Sequence, residues 1–253
     1  MNPVSILISI VSYNHESFIL ANLRSNENFI PENIKVIITD LAKNDSFKNE
    51  LKALNLPNLI YHTNKETYGY GKNNNIAFRT YAHTSDIFVV CNPDVVVNFN
   101  DFNTFISNTN WTNHLITCKT EIPGGIKNNN IRRFFNPIFW VGSFLKVIDF
   151  NYWYYGDQLD KVVRFDWCNG AFMVFDSEAY KKLNGFDEGY FMYIEDTDIC
   201  YRCDKLKIDK LFYPTFVIQH FAQRRSSAIF NKHFIWMLRS VMRYYWKLYT
   251  GKM

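Results

Sequence analysis

Val4 to Ser12 is a continuous apolar, β-branched run that stops at Ser12-Tyr13-Asn14. A strand buried on both faces of a parallel sheet carries this pattern, because neither side of its pleat meets water. Comparable runs follow at Ile34 to Thr39, closing on Asp40, at Leu59 to Thr63, and at Ile87 to Cys91, closing on Asn92-Pro93-Asp94. Between them, helical spacing of the apolar residues predicts helices from about Glu16, over Asp45 to Leu54 and over Gly71 to Ala82. Strand and helix alternating at this interval make βαβ units. The expected architecture is therefore α/β, a Rossmann-like doubly wound and mostly parallel sheet whose ligands sit beyond the carboxyl ends of its strands. Asn14, Asp40 and Asp94 all fall at those ends.

From Thr120 to Arg164 the pattern degrades. Gly124-Gly125, Asn128-Asn129-Asn130 and Arg132-Arg133 stand among Phe134, Phe135, Phe139 and Trp140, which reads as a long aromatic, partly mobile loop region beside a site. Order returns with a strand over Ala171 to Phe175, Ser177 capping a short helix to Leu183, a strand near Leu211 to Gln219 and a final helix from about Ala228. In that last helix Lys232, Arg239, Arg243 and Lys247 are spaced by seven, four and four residues, so they share one stripe while most of the remaining circumference is apolar. Such a helix is expected to lie on a membrane surface, with its aromatic side sunk and its basic stripe among anionic head groups. The chain is thus read as a domain over residues 1–227 and a basic amphipathic helix over 228–253.

Charge supports that reading. From Arg202 onward 11 Lys or Arg stand against only Asp204 and Asp209, while the whole chain carries +4, so the basic end seeks anionic partners and the rest is net acidic. At 253 residues and 47% hydrophobic content the chain can bury a full core, which excludes general disorder. Five scattered cysteines make no disulfide framework and fit a reducing compartment; Cys200 and Cys203, inside a helical pattern, are expected to pack in the core. The amino end lacks the basic and small-residue signature of a signal peptide, and no uninterrupted run of about 18 apolar residues occurs, so no transmembrane helix is expected.

The chemistry concentrates between Gly185 and Arg202, G-F-D-E-G-Y-F-M-Y-I-E-D-T-D-I-C-Y-R. Glu195, Asp196 and Asp198 follow an aromatic run and precede a helical pattern. Acids suit a helix start, where free N–H groups and the dipole favour negative charge. Setting them behind Tyr190, Phe191, Met192 and Tyr193 adds the apolar, water-poor walls that a general base needs. A second candidate is Gly69-Tyr70-Gly71-Lys72-Asn73-Asn74-Asn75, where glycines allow close backbone approach and a helix start favours phosphate.

The acidic stretch resembles the acceptor-side motif of family-2 inverting glycosyltransferases, closest to the bacterial rhamnosyltransferases of surface polysaccharide (O-antigen) synthesis. That resemblance covers nearly the whole chain and implies a GT-A fold, a nucleotide-sugar donor and a divalent cation, Mg²⁺ or Mn²⁺. It puts the catalytic base on Asp196, with Glu195 and Asp198 as the next candidates and Glu195 also touching the acceptor. On the donor side it implies Ser12, Asn14, Asp40, Gly69, Tyr70, Asn74, Asn75, Asn92 and Asp94, with Arg224 and Arg225 near the diphosphate. Asp40 and Asp45 match the ends of the family's D-N-x-S-x-D loop, whose middle departs here to Leu41-Ala42-Lys43-Asn44; Asp40 is suited to accept from a pyrimidine N3–H. Asn92-Pro93-Asp94 stands where many relatives carry Asp-x-Asp, leaving Asp94 and the late His220 as metal ligands. Trp167, Asn169 and Gly170 match the acceptor-side W-x-x-G-A pattern. The implied partners are dTDP-L-rhamnose, with another dTDP- or UDP-sugar as the next donor, and a polyprenyl-diphosphate-linked saccharide at the cytoplasmic face of the inner membrane, with no nucleic acid; the alternative of a degenerate, non-catalytic glycan or nucleotide binder would leave Asp40, Asp94 and Asp196 together unexplained. A dinucleotide-binding dehydrogenase is disfavoured, since Ser12-Tyr13-Asn14-His15 replaces the G-x-G-x-x-G such a fold places after its first strand.

Overall fold

A computed structural model describes the chain except residues 1–2, 28, 83, 125, 129, 135–159 and 222–231. The runs named above form β1 (Ile6–Ser12), β2 (Ile34–Asp40), β3 (Leu59–His62) and β4 (Ile87–Cys91), in the parallel order β3-β2-β1-β4. All seven residues of β1 are buried, as a central strand covered on both sides requires. Its side chains alternate between two layers. Ile6, Ile8 and Ile10 meet α1 (Glu16–Ser25), α2 (Asp45–Ala53) and α4 (Phe99–Ser107), whereas Leu7 joins the layer under α3 (Tyr70–Tyr81), α5 (Ser177–Lys182) and α6 (Glu195–Lys205). The result is an α/β/α sandwich.

Beyond β4 the sheet becomes mixed. β11 (Phe172–Asp176) inserts antiparallel between β4 and β6 (His114–Ile122), and β12 (Asp209–His220) then runs parallel to β6. A fully buried strand reads the same in either direction, so the apolar run did not reveal this reversal. The two-residue β5 (Val95–Val96) pairs antiparallel with the end of β12, placing His220 opposite Val95.

Three sequence expectations need correction. The expected loop from Thr120 to Arg164 is partly strand: β6 extends to Ile122, β7 (Ile126–Asn128) folds back on it, and β8 (Ile131–Arg132) pairs with β10 (Trp167–Cys168). β9 (Val163–Arg164) pairs with β12, while the aromatic centre of that region lies outside the described residues. The cap of α5 is Asp176, whose carboxylate accepts from the Glu178 N–H, and not Ser177, which is already helical.

The final helix, α7 (Lys232–Thr250), supplies the third correction. Two of the four residues of its expected basic stripe, Arg243 and Lys247, are turned inward, while Lys232 and Arg239 stay exposed. Lys247 is buried and donates to Asp187 at 2.7 Å and to Asp198; Arg243 donates to Asp187 at 2.8 Å; Ser240 donates to the Met192 carbonyl at 2.9 Å. Burial acts to raise the Asp187 carboxyl, but its bonds from Arg243 and Lys247 outweigh that and hold it down at about 2. The boundary expected at residues 227/228 falls outside the described residues. All five cysteines are free and buried, Cys200 and Cys203 among them in the core under α6, and burial pushes the Cys203 thiol well up.

Candidate active site

The carboxyl ends of β1, β2 and β4 open into a cavity of about 940 Å³. At one part of its wall, Asp94 follows β4 and lies 3.4 Å from His220, Oδ1 to Nε2, both side chains nearly buried. The β5–β12 ladder explains that meeting, because it fixes His220 beside the residue after Asp94, and the Phe221 N–H donates to the Asp94 carbonyl at 3.0 Å. Among the described residues no group of three or more His, Cys, Asp or Glu is poised to hold a metal by itself. One carboxylate oxygen and one imidazole nitrogen still fit a divalent ion that takes its remaining ligands from a diphosphate and water, the usual way Mg²⁺ is held.

The Gly69–Tyr70 step ties this part to the opposite wall. The Tyr70 hydroxyl stands 2.9 Å from both Asn92 Oδ1 and the Gly170 carbonyl, and the Tyr70 N–H donates to the Phe191 carbonyl at 3.0 Å. A Cβ on Gly69 would run into that carbonyl oxygen and come within 2.7 Å of Phe191 Cα, so only glycine lets the two loops meet.

At the opposite wall two successive residues, Tyr193 and Ile194, take left-handed backbone conformations with φ of 71° and 68°. For a β-branched residue this is strained, and such strain clusters where geometry is functional. It turns the chain into α6 and delivers Glu195 and Asp196 into the cavity. Asp196 accepts from the Gly170 N–H at Oδ2, 3.1 Å, and from the Thr197 N–H at Oδ1, 2.7 Å. Burial raises its carboxyl above the usual range, and these N–H bonds with the Arg132 charge limit the rise. Glu195 is 7% exposed, its Oε2 has no hydrogen-bond partner among the described residues, and burial followed by the Asp196 charge pushes it up to about 8.

Several sequence-derived roles shift. Asp198 is fully buried away from the cavity, bound by Arg202 at 2.7 Å and by Lys247, so it anchors helices instead of facing substrate. Asn74 and Asn75 point into the protein: Asn74 accepts from Ser9 and donates to the Tyr70 carbonyl, and Asn75 braces Phe186 and Tyr180. The Asn74 amide, buried, holds the Tyr70 carbonyl of the Gly69–Gly71 turn from within, and Asn75 has both its amide hydrogens and both lone pairs of its oxygen engaged by Phe186, Glu188 and Tyr180. Asp40 is fully buried, its oxygens accepting from the N–H groups of Ala42 and Asn44 and from the Tyr61 hydroxyl, which orders the loop behind Leu41, a residue of the cavity wall. Ser12 is buried and Asn14 exposed with φ of 57°, while Tyr13 and His15 beside them reach the cavity. Trp167 is 4% exposed, donates to the Arg133 carbonyl at 2.7 Å, and carries Arg132 over its ring at 5.1 Å; Asn169 accepts from the Ala171 N–H. Arg224 and Arg225 lie outside the described residues.

Two contributors escaped the sequence reading. Arg132 lines the cavity from β8, and Lys232, His233, Trp236 and Met237 of α7 form part of its wall. His233 meets the Tyr193 hydroxyl at 2.9 Å and Trp236 packs on Phe191 with ring centroids 4.7 Å apart. The only signal for Arg132 was its place in an aromatic, basic segment; for α7 the periodicity gave a stripe but not which side faces inward.

The family described as glycosyltransferase like family 2 matches residues 3–238. Rhamnosyltransferase WbbL of Escherichia coli (strain K12) is 30% identical over 250 residues, covering 94% of this chain and 92% of that protein. A solved structure of GalNAc-T7 with UDP, GalNAc and Mn²⁺ superposes with a TM-score of 0.69 at 13% identity over 96% of this chain, which spans 47% of that one. The mannosyltransferase PcManGT from Pyrobaculum calidifontis, in complex with GDP-Man and Mn²⁺, gives 0.58 at 16% identity over 92% of this chain and 60% of its own.

Proposed function

The chain belongs to glycosyltransferase family 2, and from that premise we propose that it is an inverting transferase moving L-rhamnose from dTDP-L-rhamnose onto a polyprenyl-diphosphate-linked saccharide of a bacterial surface polysaccharide. The observation that carries the reading is the pairing, in one cavity, of a half-buried carboxylate held by two backbone N–H groups with an Asp–His couple suited to a cation-bound diphosphate.

In this mechanism the acceptor hydroxyl oxygen attacks the anomeric carbon from the face opposite the leaving group. The bond from that carbon to the diphosphate oxygen breaks, and the hydroxyl proton passes to Asp196. The N–H groups of Gly170 and Thr197 hold the carboxylate in one orientation, which is the entropic part of the catalysis. Burial makes Asp196 a stronger base than a solvated aspartate, nearer the working pH. Burial and the neighbouring Asp196 charge push the Glu195 carboxyl up to about 8, favouring the protonated form that can offer the acceptor a hydrogen bond. A divalent cation, Mg²⁺ or Mn²⁺, held by Asp94 and His220 would neutralise the departing diphosphate. On this reading the enzyme works peripherally at the cytoplasmic face of the cell membrane, in reach of a lipid-linked acceptor; no helix among the described residues is long and apolar enough to cross a membrane.

Binding of dTDP-L-rhamnose, UDP-glucose and GDP-mannose measured by calorimetry with and without Mg²⁺ tests the donor. Preference for dTDP-L-rhamnose supports the proposal, and preference for either other donor overturns the choice of sugar.

A further inference from the structure

The inward turn of Arg243 and Lys247 has a geometric counterpart on the other side of α7. Ile235, Leu238, Met242, Trp246 and Tyr249 are spaced by three, four, four and three residues, so they lie along one line of the helix, and each is between 44% and 73% exposed. Phe234 borders the same line at 41%. A soluble domain seldom leaves a continuous row of large apolar side chains, two of them aromatic, in water. Lys232 and Arg239 are exposed along one margin, and Lys252 reaches over the Trp246 ring at 4.5 Å. From Lys210 to the last residue the sequence contains no Asp or Glu. The surface is thus an apolar ridge with a purely cationic border.

We infer that this outward ridge is the part of the helix's apolar circumference that enters a bilayer with anionic head groups. Its apolar side chains sink to the acyl boundary while Lys232, Arg239 and Lys252 meet the phosphates. Arg243 and Lys247 are committed to Asp187 and Asp198 and serve to fix the helix on the domain. The same helix shows His233, Trp236 and Met237 to the cavity on its other side. One helix diameter, about 10–12 Å, therefore separates the lipid-facing ridge from the cavity wall. A substrate anchored in the bilayer would reach the cavity past the Phe191–Trp236 edge. That last step rests on the transfer reading; the lipid contact itself does not.

The test is flotation of the full chain with phosphatidylcholine vesicles, with and without phosphatidylglycerol. Binding to the anionic vesicles is expected to exceed that to neutral ones by roughly 10² at low salt, from three basic residues at the border. Ile235→Glu with Met242→Glu should reduce vesicle binding more than tenfold, and Lys232→Gln with Arg239→Gln should remove most of the anionic preference. The exposed side chains of Ile235 and Met242 support no core, so circular dichroism and dTDP binding of that variant should match the wild type. If circular dichroism shows it unfolded, Ile235→Ser with Met242→Ser replaces it. Absence of flotation, flotation untouched by the ridge variants, or a concentration-dependent dimer that the same variants dissolve would overturn the inference. Loss of lipid binding with donor binding intact would leave the transfer reading standing.

Discussion

The Gly170 N–H donates across 3.1 Å to Oδ2 of Asp196, so the loop between β10 and β11 holds the carboxylate that opens α6. Glu195, one residue earlier, receives no such bond on Oε2 from any described residue. Two adjacent carboxyls are thereby made unequal, Glu195 buried and Asp196 half-buried on two N–H groups, which is how one site keeps one acid ionised and its neighbour neutral.

The first prediction follows from Glu195. Its carboxyl is raised from 4.5 to about 8 in the folded chain, so the native state binds a proton the unfolded state has lost. The stability this contributes is complete below pH 4.5 and is lost as pH rises through about 8. Urea denaturation from pH 5 to 9 should show the wild type losing stability across that span, with a flatter dependence in Glu195→Gln. Parallel curves for the two proteins would refute the assignment.

Asp94→Ala should weaken donor binding at least tenfold with Mg²⁺ present and leave the weaker, metal-free binding unchanged, because its carboxylate acts through the cation. His220→Ala should show the same dependence. Equal losses with and without metal would mean that the pair contacts the nucleotide directly.

Lys247→Met is expected to cost about 3 kcal/mol, since Asp198 is fully buried and, among the described residues, keeps Arg202 and Tyr190 as side-chain partners. Adding Asp198→Asn should recover much of that loss. A cost below about 1 kcal/mol in chemical denaturation at neutral pH, as for an exposed pair, would contradict the clamp.

Gly69→Ala drives a methyl into the Phe191 carbonyl oxygen. Backbone must move, separating the donor-side turn from the acceptor-side loop, and kcat is expected to fall by about 10² because misplacement of about 1 Å has that effect. Activity within twofold of wild type would show that the two loops are not mutually positioned.

Much of this arrangement was legible in the chain. β1, β2 and β4 announce themselves because strands covered on both faces have no polar side, and Asp94 and Asp196 stand at punctuation points that a sheet's topology makes significant. The direction of β11 was not legible, since burial carries no polarity. Asn74 and Asn75 misled because an amide beside a glycine turn suits a ligand and a backbone equally; only the tertiary contacts to Ser9, Phe186 and Tyr180 decide. The side of α7 that faces the protein depended on Asp187 and Asp198, acids far away in sequence that capture Arg243 and Lys247.

The central claim is that Asp196 takes the proton of the attacking hydroxyl in a single inverting displacement. The most direct measurement follows dTDP-L-rhamnose and a lipid-linked saccharide acceptor by NMR with wild-type chain and with Asp196→Asn. The account predicts a rhamnoside of inverted anomeric configuration from the wild type, and a kcat lower by about 10²- to 10⁴-fold in the variant with donor affinity nearly unchanged. Retained configuration, or a variant within a few-fold of wild type, would contradict it.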